Sequence, residues 1–150
     1  MKRVGMIAIM LLTIALDQYT KHIARQTLAM SAPRHYSILT LLYAENSGAF
    51  LSLGANLPPE TRSLIFSGVV AVALAIGMYA LMTNRIGNNA DSIAVAFILG
   101  GGIGNLIDRV ARGGRVSDFL YLAVGPLHTG VFNVADIAIT GGVIWLLISW

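Results

Sequence analysis

The sequence contains no cysteine, which removes disulfides, thiol nucleophiles and thiolate metal sites together and leaves the redox compartment unmarked. Charge is almost as scarce. Asp, Glu, Lys and Arg make up 11% of the 150 residues, against roughly a quarter in a soluble domain. No G-x-S-x-G elbow occurs, and the serines have no partnered histidine in a nucleophile motif. His22, His35 and His128 are scattered, without the spacing of a metal site, so neither a metal nor another cofactor is expected. No basic cluster is interleaved with aromatics, so nucleic acid is not an expected partner, and the net charge of +3 reads as anchoring at a membrane surface. What the chain has in abundance is apolar surface. Hydrophobic residues make up 56% and mean hydropathy is +0.74, the composition of a membrane protein.

At this length a single domain over 1–150 is expected, and four apolar segments divide it. The first follows Lys2 and Arg3 in the manner of a secretory signal, but no small-x-small cleavage site comes after it. Continued through Asp17 to Lys21, it reads as an uncleaved span over about 4–22, with those two charges at i, i+4 on one face. The second, 63–83, carries no charge and is long enough to cross about 30 Å of hydrocarbon. A third, 91–107, opens with Asp91 as N-cap or first-turn acid and contains Gly100 and Gly104, a pair that lets a neighbouring helix approach closely. The fourth, 133–150, starts with Asn133 as N-cap and Asp136 in the first turn, and ends among tryptophans suited to the interface.

Between the first two spans, Tyr36 to Ala44, a turn around Glu45 to Gly48, and Ala49 to Leu53 read as strand–turn–strand. The expected fold is therefore all-α, four transmembrane helices with a small extramembrane β element near 35–57. Four spans put the loops 22–62 and 108–132 on one face. Seven of the ten Lys and Arg lie on that side, which by the positive-inside rule makes it cytoplasmic, whereas the leading Lys2-Arg3 argues for a cytoplasmic N-terminus. The residues alone leave orientation open.

The scarce charges gather at span ends. Asp118 and Asp136 stand eighteen residues apart, joined by a loop able to fold back and bring the two carboxyls face to face. Such a pair cannot both ionise cheaply, so one keeps a proton and the two act as base and acid on a water attacking a carbonyl. Asn105 and Asn133 suit the orienting of these carboxyls, because a neutral amide binds either charge state. The plainer readings are an N-cap acid for Asp136, an interfacial ion pair for Asp108 with Arg109, and a structural pair for Asp17 with Lys21. From another class comes a small multi-pass transporter or scaffold subunit whose acids bind a cation or proton, although a transporter would place them nearer mid-bilayer.

Five segments in order, DQYTK (17–21), NSGAFLSL (46–53), GNLIDR (104–109), RVSDF (115–119) and FNVAD (132–136), resemble the motifs of the lipoprotein signal peptidases, the signal peptidase II family. The resemblance covers most of the chain. It implies a bacterial inner-membrane aspartic endopeptidase that removes the signal peptide from prolipoproteins, on the amino side of a diacylglyceryl-modified cysteine. It makes Asp118 and Asp136 the catalytic dyad and places Asn105, Asp108, Arg109 and Asn133 around it. It puts Asn46 and Gly48 at substrate-binding or dyad-supporting positions, and Asp17 and Lys21 in a structural motif. It also implies four spans with both termini cytoplasmic, a site near the periplasmic surface, membrane lipids as surroundings and a monomer. Ser117 stands where the family usually has an apolar residue, and the chain stops at Trp150 without a basic tail.

Overall fold

A computed structural model of the chain describes residues 3–47, 57–83 and 85–149. Among these residues four helices, α1 (Arg3–Thr27), α2 (Pro59–Met82), α3 (Asn89–Ala111) and α4 (Val134–Ser149), and four strands, β1 (Arg34–Tyr36), β2 (Leu39–Asn46), β3 (Val116–Val124) and β4 (Leu127–His128), follow in the order α1-β1-β2-α2-α3-β3-β4-α4. Three of the described helices are long and apolar enough to cross a membrane, Arg3–Thr27, Ser63–Met82 within α2, and Asn89–Ala111. The apolar α4 has 16 residues, about 24 Å at 1.5 Å each.

The helix ends follow local chemistry. Pro59 occupies the first turn of α2, where its missing N–H costs nothing. The side chain of Asn88, not Asp91, caps α3 by accepting from Asp91 N at 2.9 Å; Asp91 is a first-turn acid whose carboxylate accepts from Trp145 Nε1 at 3.1 Å. At α4, Asn133 Oδ1 accepts from Asp136 N at 3.0 Å while Asp136 Oδ2 accepts from Asn133 N at 3.1 Å. This is a reciprocal capping box.

The central helix is α3, which packs on α1, α2 and α4. Its glycines make that possible. A Cβ at Gly100 would lie 2.8 Å from Thr13 Cβ, at Gly101 2.5 Å from the Ala135 carbonyl oxygen, and at Gly104 2.5 Å from Asp17 Oδ2. Gly104→Ala is therefore expected to destabilise the fold by about 1–3 kcal/mol, outweighing a helix-propensity gain of about 1 kcal/mol. Gly68→Ala, with open space around its Cβ, should melt at or above wild type. Thermal melting in detergent checks both, and a Gly104→Ala protein as stable as wild type would contradict the packing argument.

The sheet corrects the expected β element. Its order is β1-β2-β3-β4, all neighbours antiparallel. The first hairpin turns at Ser37 and Ile38, with Ser37 at φ 53°, and Glu45 and Asn46 extend β2 instead of turning it. The partner of β2 is β3, from the loop before α4, with Ala44 opposite Asp118 and Asn46 opposite Val116. Apolar burial decides this pairing: Phe119 of β3 packs with Ala24 and Leu28 at the end of α1, flanked by Leu41, Tyr43 and Leu120. The expected strand at 49–53 and Gly48 lie outside the described residues.

Candidate active site

Two devices bring Asp118 and Asp136 together. Gly113 and Gly114, at φ 60° and 86°, end α3 in a turn that a side chain would strain, and feed the chain into β3. After β4 the chain comes back to β3: Phe132 N donates to the Leu120 carbonyl at 2.8 Å, and the Phe132 carbonyl accepts from Phe119 N and Leu120 N at 3.0 and 2.9 Å. The first turn of α4 is thereby pinned one residue from Asp118.

Asn133 joins the two acids. Its Nδ2 donates to Asp118 Oδ1 at 2.6 Å and to Asn105 Oδ1 at 3.1 Å, and Asn105 Nδ2 donates to Asp136 Oδ1 at 2.9 Å. Asp136 thus accepts on both oxygens. Asp118 is 2% exposed, and burial foremost, with the Asp136 charge adding to it, pushes its carboxyl up to about 6 against the pull of hydrogen bonds from Asn133 and Asn46.

A carboxyl raised in this way stabilises the fold below its unfolded value of 3.8 and loses that contribution as pH rises through about 6. Relative to wild type, Asp118→Asn should therefore gain stability between pH 4 and pH 7, by up to about 3 kcal/mol. Melting curves across that range test the sign, and a difference that does not change with pH would refute it.

Beneath the acids lies a buried ionic cluster. Lys21 Nζ, wholly buried, donates to Asp17 Oδ2 and to Asn105 Oδ1, both at 2.8 Å, and lies 3.8 Å from Asp108. Asp17 Oδ1 accepts from Ala135 N at 3.0 Å, tying α1 to α4. The ion pairs of Asp108 run to Lys21 and Arg25 at 3.8 and 3.7 Å, and its Oδ2 accepts from Ser117 N at 2.8 Å. The expected partner of Asp108, Arg109, faces elsewhere because successive helix positions diverge by about 100°. Arg109 feels the charges of Asp136, Asp118 and Asp108, and its Nε is buried with no hydrogen-bond partner.

Of the residues singled out in the sequence, Asp17, Lys21, Asn46, Asn105, Asp108, Arg109, Asp118, Asn133 and Asp136 meet in this one region, while Gly48 is not among those described. Sequence reasoning passed over Gln18, Arg25 and the polar use of Ser117. Gln18 donates to the Gly104 carbonyl at 3.0 Å, and Arg25 donates to Ser117 Oγ at 3.2 Å. Their positions at i+1 and i+8 from Asp17, flanking one helix face, were the available signal.

An apolar groove of about 450 Å³ runs between α3 and α4, lined by Ile93, Phe97, Ile137, Gly141 and Trp145 among others. A second hollow, of about 390 Å³, shares Ile137 and Gly141 and reaches Asp136. No cluster of three His, Cys, Asp or Glu able to hold a metal occurs among the described residues.

Fold and site define a helical membrane protein that holds two coupled carboxyls where its helices meet a sheet. The family described as Signal peptidase (SPase) II matches residues 9–150. A lipoprotein signal peptidase of Syntrophus aciditrophicus is 36% identical over 140 residues, covering 92% of this chain and 86% of its own. One from Sphingopyxis alaskensis is 40% identical over 138 residues, covering 88% and 76%. A bacterial membrane enzyme solved by the in meso method at 1.9 Å superposes with a TM-score of 0.82 at 26% identity, covering 97% of this chain and 91% of that one. The chain belongs to the signal peptidase II family, a family of aspartic peptidases.

Proposed function

We propose that this chain removes the signal peptide from prolipoproteins by hydrolysis on the amino side of a diacylglyceryl-modified cysteine, with Asp118 and Asp136 as the catalytic dyad. One observation supports the dyad above the others: Asn133 binds Asp118 through its side chain and Asp136 through a capping box, so a single residue locks both acids to each other. Asp136, which accepts an N–H on each oxygen and is held in place by them, is suited to be the base that takes the water proton. Asp118, with its raised affinity for a proton, is suited to be the acid.

In the reaction, Asp136 takes a proton from water as the water oxygen attacks the scissile carbonyl. The proton on Asp118 passes to the carbonyl oxygen, giving a neutral tetrahedral intermediate. As the C–N bond breaks, the proton held by Asp136 moves to the leaving nitrogen, and Asp118 recovers its own. No covalent intermediate and no cofactor is required. Arg109, whose cation feels the charges of both acids, and Asn46, which hydrogen-bonds Asp118, are assigned to holding the dyad and its substrate.

The whole chain acts as one integral-membrane domain, with α4 as the fourth span and the sheet lying at the surface. Both termini are cytoplasmic and the dyad lies near the periplasmic face of the bacterial inner membrane, in a monomer surrounded by lipid. Exposed Leu64, Val69, Val72 and Ile76 along α2 support the lipid contact. A cation-binding transporter or scaffold subunit is not favoured, because Asp136 sits in the first turn of α4 and Asp118 on the adjoining strand β3, each engaged by an asparagine amide. Purified protein incubated with a lipid-modified precursor should release the signal peptide, and failure to do so under conditions where a known lipoprotein signal peptidase succeeds would overturn the reading.

A further inference from the structure

We infer that Lys21 is a positioning residue for the dyad: its ammonium fixes which end of the Asn105 amide faces Asp136, and so presents an N–H donor to that carboxylate. This rests on the dyad reading above. An ammonium has three N–H groups and no acceptor, so the atom of Asn105 that meets Lys21 Nζ at 2.8 Å must be Oδ1. With Oδ1 spent there, Nδ2 turns to Asp136 Oδ1 at 2.9 Å.

A second fixed donor sets Asn133. The backbone N–H of Asp136 can only donate, so Asn133 Oδ1 receives it at 3.0 Å and Asn133 Nδ2 is left for Asn105 Oδ1 and Asp118 Oδ1. The polarity of each bond is therefore fixed: Lys21 and Asn133 both donate to Asn105 Oδ1, Asn105 donates to Asp136, and Asn133 donates to Asp118. Reversing Asn105 would set its NH₂ against the ammonium and against Asn133 Nδ2, and its oxygen against the Asp136 carboxylate. Each contact would then be donor to donor or acceptor to acceptor.

Charge balance alone does not account for Lys21. A lysine that merely neutralised Asp17 at i, i+4 would need one short contact, yet the second short contact, equal in length, is to a neutral amide on α3. Asn133 Nδ2 also donates to Asn105 Oδ1, at the longer 3.1 Å, whereas Asp108 on α3 and Arg25 and Gln18 on α1, which face the same cluster, do not. Lys21 is wholly buried; its hydrogen-bonded path to the dyad runs through Asn105, and its charge also acts on Asp118, an effect that the Met and Gln variants lose alike.

Lys21→Met and Lys21→Gln separate the two roles. Both remove the charge and leave Asp17 without its cation, so they should melt alike; only Gln keeps an N–H₂ for Asn105. With a lipid-modified precursor, Lys21→Met is expected to lower kcat per folded molecule about a hundredfold with KM within about twofold, and Lys21→Gln to recover most of that loss at an equal melting temperature. If the single variants fail to accumulate, Asp17→Asn/Lys21→Met and Asp17→Asn/Lys21→Gln, which remove acid and base together, carry the same comparison. Equal kcat for the Met and Gln members of either pair, or wild-type kcat for Met, overturns the inference. Asp118→Asn and Asp136→Asn run beside them: inactive dyad variants with equal Met and Gln rates sink the Lys21 role alone, whereas active dyad variants sink the dyad reading itself.

Discussion

Asp118→Asn and Asp136→Asn are each expected to lower cleavage of a lipid-modified precursor by about a thousandfold or more, while both proteins still accumulate in the membrane. An amide keeps the shape of the carboxyl but neither accepts a proton from water nor returns one to a leaving nitrogen. The two variants should differ in stability, which distinguishes lost chemistry from lost structure. At position 118 a single oxygen can still accept from Asn133, and removal of a buried acid relieves the cost of charging it. At position 136 two N–H donors, Asn105 Nδ2 and Asn133 N, converge on two oxygens, and an amide offers one. Asp136→Asn should therefore melt lower, by the equivalent of about 1–3 kcal/mol for the unsatisfied donor. Release of labelled signal peptide and melting in detergent provide the two measurements. Near wild-type cleavage by either variant would remove that residue from the dyad.

The helices were legible in the sequence because lipid imposes long uncharged runs, and 63–83 or 91–107 can hardly be read otherwise. Asn133 and Asp136 were legible as a helix start, and the structure shows why that plain reading and the functional one coexist: the capping box that starts α4 is the same set of bonds that holds Asp136 beside Asp118. The sheet was not legible in full. The partner of β2 lies seventy or more residues away in β3, and no local pattern distinguishes that pairing from a hairpin with 49–53. Asp108 beside Arg109 misled for a similar reason, since adjacency in sequence suggested a pair while the helix turned Asp108 toward Lys21 and Arg25. What a sequence hides in such a chain is the direction of its few polar side chains, because those directions are set by contacts between helices. Lys21 to Asn105, eighty-four positions apart, is the clearest case.

A precursor lacking its diacylglyceryl group is expected to be cleaved at least about a hundredfold more slowly than the modified form, because remote binding energy is what aligns the scissile bond. The dyad lies where α3, α4 and β3 meet, at the end of helices whose outer faces are apolar. An extended peptide in water has no reason to arrive at that depth. The apolar groove between α3 and α4 continues through Ile137 and Gly141 to a hollow that reaches Asp136, so an apolar segment lying along α4 would run directly toward that carboxylate. Acyl chains add about 0.8 kcal/mol of burial per CH₂ in lipid, and one pair of chains fixes the height of the cysteine that bears them. On the proposed dyad assignment, the bond on its amino side would then be presented to a water between Asp118 and Asp136, while bonds a few residues away would sit at the wrong depth. Matched precursors with and without the lipid, assayed at equal concentration in the same bilayer, measure the ratio directly. Equal rates would mean that depth in the membrane does not select the bond, and the placing of two acids at the end of apolar helices would need another reason.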